Sequence, residues 1–220
     1  MPPNPTILAF DTSAAHCAAA LLCNGHITSR VDEMARGQAE HLMPMLEDML
    51  KDASLSWADL GAIGVGIGPG NFTGIRISVS AARGLALGLG KPAIGVSTLE
   101  AQAHGQVGTI LSCLDARRDR AYAQVFRDGK ATSEPTLCDL TQADLLQLSP
   151  NEMPTVIGDV ATQIADLTGW QAATPRQSLI ESIVGIAASR IDETPNRPAP
   201  LYIRAADAAP SRDTPPTVIA

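Results

Sequence analysis

The stretch 64-GVGIGPGNFTGIRISVSAARGLALGLG-90 constrains the fold more than any other. A short apolar run ends in a glycine cluster, and a long run follows in which only Arg76 and Arg83 are charged. A strand that feeds a helix through a glycine turn is a building unit of α/β sheets. The spacing predicts a helix over roughly 73–90, closed by Gly90 and Pro92, with Asn71 or Thr73 able to cap it. Ile75, Val79, Ala82, Leu85, Ala86 and Leu89 form one apolar stripe. Ile77, Ala81, Gly84 and Gly88 form a second, nearly opposite and mostly small. A helix apolar on two sides is covered on both. Each interior glycine costs about 0.8–1 kcal/mol against alanine, a cost that close approach of a neighbouring backbone offsets.

The turn 68-GPGNFTG-74 has two readings. Glycine amides ahead of a helix N-terminus can cradle a phosphate. No lysine follows in a GxxxxGK[ST] frame, and position 71, where GxGxxG needs its third glycine, is Asn71. Tight strand-to-helix packing is the alternative, and the residues favour it.

Around this unit the chain alternates. Residues 6–10, 17–23 and 26–33 read as antiparallel strands, the last two joined by Asn24-Gly25. Leu42, Met45, Leu46, Met49 and Leu50 fall at helical spacing over 38–53, with Pro44 near its start. Strands follow at 62–68 and 93–97, then a helical turn or two over 98–105. After Gly105 the pattern restarts: strands at 109–116 and 120–129, a helix near 141–148, a strand at 155–158, and helices near 160–168 and over 178–191. Two α/β lobes are expected, 1–104 and 105–193, with a proline-rich tail over 194–220.

The net charge of −7 opposes independent binding to nucleic acid. The one basic cluster, 117-RRDR-120, reads as a solvated turn. The start, MPPNPT, lacks the basic and apolar regions of a secretory signal, and the four cysteines show no zinc spacing. A reduced, cytoplasmic chain is expected, with Cys17 and Cys23 acting as small hydrophobes. Asp11-Thr12-Ser13 suggests either one half of an aspartic protease or a phosphate-contacting hairpin; an Asx or ST turn is the plain alternative. Asp11, Thr12, Ser13, Gly68 and Gly70 are the nucleotide candidates. His16, His26, His41 and His104 form no HExxH pattern, and Ser97 lacks the setting of a nucleophile elbow. Asp115, beside arginines, suggests a structural ion pair.

The segments ILAFDTS, LMPMLEDML, GPGNFTGIRISVSAARGLALGLGKPAIGVSTLEA, LDARRDRAY and PLYIR together resemble the TsaB (YeaZ) family. The resemblance is dense over 6–103 and thinner at 114–122, 155–159 and 200–204. It implies an actin/Hsp70-like (ASKHA, ribonuclease H-like) α/β fold of two lobes with mixed β-sheets flanked by helices. It implies a non-catalytic subunit, without cofactor or metal, of the machinery that threonylcarbamoylates adenosine 37 in tRNAs reading ANN codons. Its partners would be a TsaD-type catalytic paralogue and a TsaE-type ATPase. Contact with tRNA would come only through the complex, and a homodimer would form when the chain is alone.

The helices 38–53 and 73–90 would build the interface, and Leu42, Met45, Leu46, Met49, Ile75, Val79, Ala82, Leu85 and Ala86 are expected there. In the catalytic paralogue a His-x-x-x-His pair holds a metal. Here the matching positions are Thr98 and Gln102, poor ligands for a first-row ion. Gln38 stands where many members carry a histidine.

Overall fold

A computed structural model of the chain describes residues 5–140, 153–193 and 197–203. The helix expected near 141–148 and most of the tail lie outside the described residues. The first sheet opens with β1 (Ile7–Asp11), β2 (His16–Cys23) and β3 (His26–Glu33), an antiparallel meander. Asn24 and Gly25 turn β2 into β3 with φ of 51° and 80°. That pair of positive values is the twist-matched hairpin turn that Asn-Gly favours. After α1 (Gln38–Asp52), β4 (Ala62–Gly66) returns parallel to β1. Next come α2 (Phe72–Leu89) and β5 (Ala93–Val96), giving the order β3-β2-β1-β4-β5.

The second sheet follows α3 (Thr98–Ala103). Strands β6 (Thr109–Asp115), β7 (Arg120–Arg127), β8 (Lys130–Ala131), β9 (Thr136–Asp139), β10 (Thr155–Gly158) and β11 (Gln171–Ala173) form it, with α4 (Ala161–Thr168) between the last two. Its order is β11-β10-β6-β7-β8, and β9 also pairs with β7. Of these, β8, β9 and β11 are short elements that no periodicity in the sequence marks.

Period-two alternation on β1 explains why it is buried throughout. Leu8 and Phe10 face a core built with Leu42, Met45 and Leu46 of α1 and Ile75 and Val79 of α2. Ile7 and Ala9 face the other way, onto Ile180, Ile183, Val184 and Ala187 of α5 (Leu179–Ser189). This corrects the lobe division. The segment 178–191 follows the second sheet in sequence, yet it crosses back and covers the first. An isolated helix of 11 residues is marginal in water. Each buried aliphatic side chain contributes about 1.5–3 kcal/mol, so docking on the first sheet is what stabilises α5.

The glycine turn is resolved in favour of packing. Asn71 caps α2, its Oδ1 accepting from Gly74 N–H at 2.9 Å. The turn seats on the loop after β1: Asn71 N–H donates to Ser13 O at 2.6 Å, and the Thr12 hydroxyl donates to Gly74 O at 2.6 Å. A Cβ on Gly74 would stand 1.8 Å from the Thr12 carbonyl oxygen, and one on Gly70 would stand 2.6 Å from that of Ser13. Both clashes are with backbone, which cannot swing aside. Gly74→Ala should therefore lower unfolding free energy by about 1–3 kcal/mol, the usual range for overpacking. Urea denaturation, with Ser80→Ala on the exposed side of α2 as the comparison, measures it.

Candidate functional site

Two places on the molecule are built to meet something else: the cleft between the sheets and the outer surface of α1 and α2. The cleft lies where the parallel strands of both sheets end, the position at which open α/β sheets bind ligands. A cavity of about 350 Å³ occupies it, walled by Ser13, His16 and Gly70 from the first sheet's loops, Thr98 and Gln102 from α3, and Asp115, Tyr122 and Asp159 from the second sheet. Asp115 and Asp159 follow the adjacent parallel strands β6 and β10.

Of the nucleotide candidates, Ser13 and Gly70 line this cavity. Asp11 and Thr12 are fully buried behind it, and Gly68 is buried against Ile75. Asp11 is held in a local turn, its Oδ2 accepting from the Ser13 N–H at 2.9 Å and the Ser13 hydroxyl at 2.8 Å and meeting His16 Nε2 at 3.1 Å. Its Oδ1 is the buried side-chain atom left without a partner among the described residues. That oxygen sits against Gly66, where a Cβ would fall 1.9 Å away. The helix-start amides that a phosphate would use are partly taken, by Ser13 O and by the Asn71 side chain. The described residues lining the cavity include Asp115 and Asp159 and no lysine or arginine.

A transition metal does not fit either. Thr98 and Gln102 do stand one helical turn apart on the cleft wall. However, the Thr98 hydroxyl donates to Pro69 O at 3.1 Å, and Gln102 Oε1 accepts from Ser112 at 2.8 Å. No group of three His, Cys, Asp or Glu side chains suited to a metal occurs among the described residues. Asp115 is a correction: it accepts from the Arg117 N–H at 2.7 Å and caps the β6–β7 turn, forming no ion pair among the described residues. That turn is the exposed 117-RRDR-120 cluster, with Arg117, Arg118 and Asp119 all at left-handed φ. Burial drives the Cys17 thiol up to about 11 and the Cys113 thiol to about 12, so both are packing groups. Gln38 closes its own loop, its amide donating to Met34 O at 3.3 Å.

The outer helices show the larger correction. Leu42, Met45, Leu46, Met49, Ile75, Val79 and Ala82, expected at a partner interface, are all buried in the chain's own core, and Leu85 and Ala86 are half-buried against it. The stripe with the bulkier aliphatic residues is the one the sheet covers. What α2 leaves outward is the second stripe. Gly84 and Gly88 are exposed, with no atom of the described residues within 4 Å of where a Cβ would stand. Ile77, Ala81 and, on α1, Met43 are half-buried at its edge.

The sheets, their order and the cleft define an actin/Hsp70-like α/β protein of two lobes. A glucomannokinase from Arthrobacter, 14% identical with a TM-score of 0.50, shares that fold over 86% of this chain and 98% of its own. The family model described as "TsaD: tRNA N6-adenosine threonylcarbamoyltransferase" matches residues 31–203. The Escherichia coli (strain K12) protein named tRNA threonylcarbamoyladenosine biosynthesis protein TsaB is 35% identical over 178 residues, covering 76% of this chain and 72% of that protein. A crystal structure titled as an uncharacterized protein with similarity to peptidase YeaZ, from Pseudomonas aeruginosa, superposes with a TM-score of 0.74 at 25% identity, over 91% of this chain and all of that one. The chain belongs to the TsaB/YeaZ family.

The cleft contains one titratable pair with a definite pH signature. The hydrogen bond to Asp11 raises the His16 pKa above its ordinary 6.5; burial opposes this, and the nearby charges of Asp11 and Glu33 assist it. A raised folded-state value means the pair stabilises the fold fully below about 6.5. Its contribution is lost as pH rises through the raised value. Unfolding free energy measured against pH should fall across that window, and His16→Gln should flatten the fall.

Proposed function

We propose that the chain is a non-catalytic subunit in the threonylcarbamoylation of adenosine 37 of tRNAs reading ANN codons. In this reading it supports a TsaD-type catalytic paralogue, and a TsaE-type ATPase joins the assembly in the cytoplasm. The observation that carries the reading is the outer stripe of α2. Two glycines stand on an exposed helix face, each costing about 0.8–1 kcal/mol, with none of the described residues above them. A close-packed helix from another polypeptide accounts for that cost. The half-buried Ile77, Ala81 and Met43 extend the contact toward α1. A second copy of the chain would use the same face when the paralogue is absent.

The cleft supports the non-catalytic part of the reading. Among the described residues its wall carries two aspartates and no lysine or arginine, which disfavours ATP, and its two i, i+4 polar side chains are engaged with Pro69 and Ser112. Ser13 is the cavity hydroxyl with a carboxylate beside it, and that carboxylate, Asp11 Oδ2, is shared with the Ser13 N–H and His16 in a local turn.

The test is Gly84→Arg and Gly88→Arg, singly and together. Leaving the glycine class removes about 1 kcal/mol of helix penalty per site, so thermal stability should hold or rise. Association with the catalytic paralogue, read by sizing with light scattering, should drop at least ten-fold in affinity. Undiminished association in the double variant would refute the proposed face. Calorimetry of the chain alone with magnesium and ATP should give no binding heat.

A further inference from the structure

One flank of α2 is neither the core-facing stripe nor the small-residue stripe. Arg76 and Arg83 lie two turns apart on it, about 10 Å along the axis. They are rotated about 100° from Ile77 and Gly84 respectively. The C-terminal segment 197–203 runs beside this flank. It is anchored by the Leu201 N–H donating to Ile67 O at 2.8 Å and by the buried Pro198, which packs near Gly95.

Helix and segment together wall two adjoining grooves that share Arg83. One, of about 570 Å³, adds Arg76 and Tyr202; the other, of about 530 Å³, adds Lys91, Arg197 and Leu87. Four cations therefore line the two grooves, and no acidic residue lines either among the described residues. None of the four makes an ion pair with a described carboxylate.

This is a local reversal of sign on a chain of net charge −7. Aromatic rings stand at one end. Phe72 and Tyr202 are 44% and 47% exposed, with centroids 5.2 Å apart. The Arg76 guanidinium lies 3.7 Å over the Phe72 ring, and its Nε donates to the Tyr202 hydroxyl at 2.9 Å. Cations with no described carboxylate partner, repeated along a groove that ends at exposed rings, suit an RNA strand: phosphates meet the cations and a base meets the rings. An acidic protein segment would use the charges and leave the rings unexplained.

We propose that the strip formed by Arg76, Arg83, Lys91 and Arg197 is an RNA-contacting surface that borders the helix face meeting the protein partner, with Gly84 at the boundary. That the RNA is tRNA rests on the function proposed above; the strip itself does not.

The test measures binding of a fluorescent, unmodified tRNA transcript by anisotropy across a salt series. Both the full-length chain and its assembly with the catalytic paralogue are titrated. Arg83→Glu and Lys91→Glu should each weaken binding roughly ten-fold at low salt and reduce the salt slope by about 1, while Arg83→Lys changes little. Circular dichroism confirms that each variant is folded.

Equal affinity and slope for wild type and Arg83→Glu, in both chain and assembly, overturns the proposal. So does loss of self-association or of paralogue binding in Arg83→Glu with RNA affinity unchanged. That result would make the strip a docking site for an acidic protein face, such as Glu47, Asp48 and Asp52 on α1 of a second copy. A chain that ignores the paralogue but binds RNA through Arg83 upholds the strip and defeats the earlier reading.

Discussion

The structure depends on one close approach, that of the glycine turn to the loop that follows β1. Gly74 sits so near the Thr12 carbonyl that no side chain fits, and the Thr12 hydroxyl and the Asn71 amide bind the two loops reciprocally. Because β1 is the central strand of the first sheet and α2 its longest cover, this contact fixes how the helix leaves the sheet. Ser78, one turn further along, repeats the pattern by donating to the Gly66 carbonyl at 3.2 Å. The turn thus resembles a ligand cradle in composition, while its hydrogen bonds go to the protein's own backbone.

The two sheets are held together by helices that leave sequence order. α3 packs Leu99 and Ala103 against Ile110, Phe126 and Ile157 of the second sheet. α5 returns to the first, and Arg190 just beyond it pairs with Glu100 of α3. The cleft is therefore framed by elements tied to both sheets. The polar groups on its wall are largely committed, with Asp11 tied to Ser13 and His16, and Asp115 to its own turn.

The strands and helices of the first lobe were legible because local signals agreed: Asn-Gly at the hairpin, Asn71 as cap, Gly90 at left-handed φ after α2. Short edge strands such as β8 and β11 were not, since two or three residues give no period to read. The placement of α5 was hidden for another reason. Its stripe of Ile180, Ile183, Val184 and Ala187 announces burial without naming the surface that buries it. The same gap misassigned the interface: Ile75, Val79 and Ala82 were apolar enough to predict a covering, and the sheet, rather than a partner, supplies it. The cleft was half visible. Ser13 and Gly70 could be named from turn chemistry, whereas Asp159 and Tyr122, though they close the segments 155–159 and 114–122 of the family resemblance, gave no sign that they meet in one cleft. Arg76, Arg83, Lys91 and Arg197 span more than a hundred positions, and only the path of the C-terminal segment brings them together.

Helix α2 therefore has three faces with three chemistries. The inner one is aliphatic and belongs to the core. The outer one is small and open. The flank is cationic and bordered by rings. A helix of 18 residues can serve three surfaces at once only if its rotation about its own axis is fixed. A twist of one residue, about 100°, would turn the glycines toward the sheet and the arginines onto the glycine face. The Thr12–Gly74 contact and the Ser78 bond to Gly66 lock that rotation at the N-terminal end, and the Gly90 cap, donating to Ala86 O, closes the other. The glycine turn therefore acts at a distance: by fixing rotation where β1 meets the helix, it decides which residues stand outward two and three turns away.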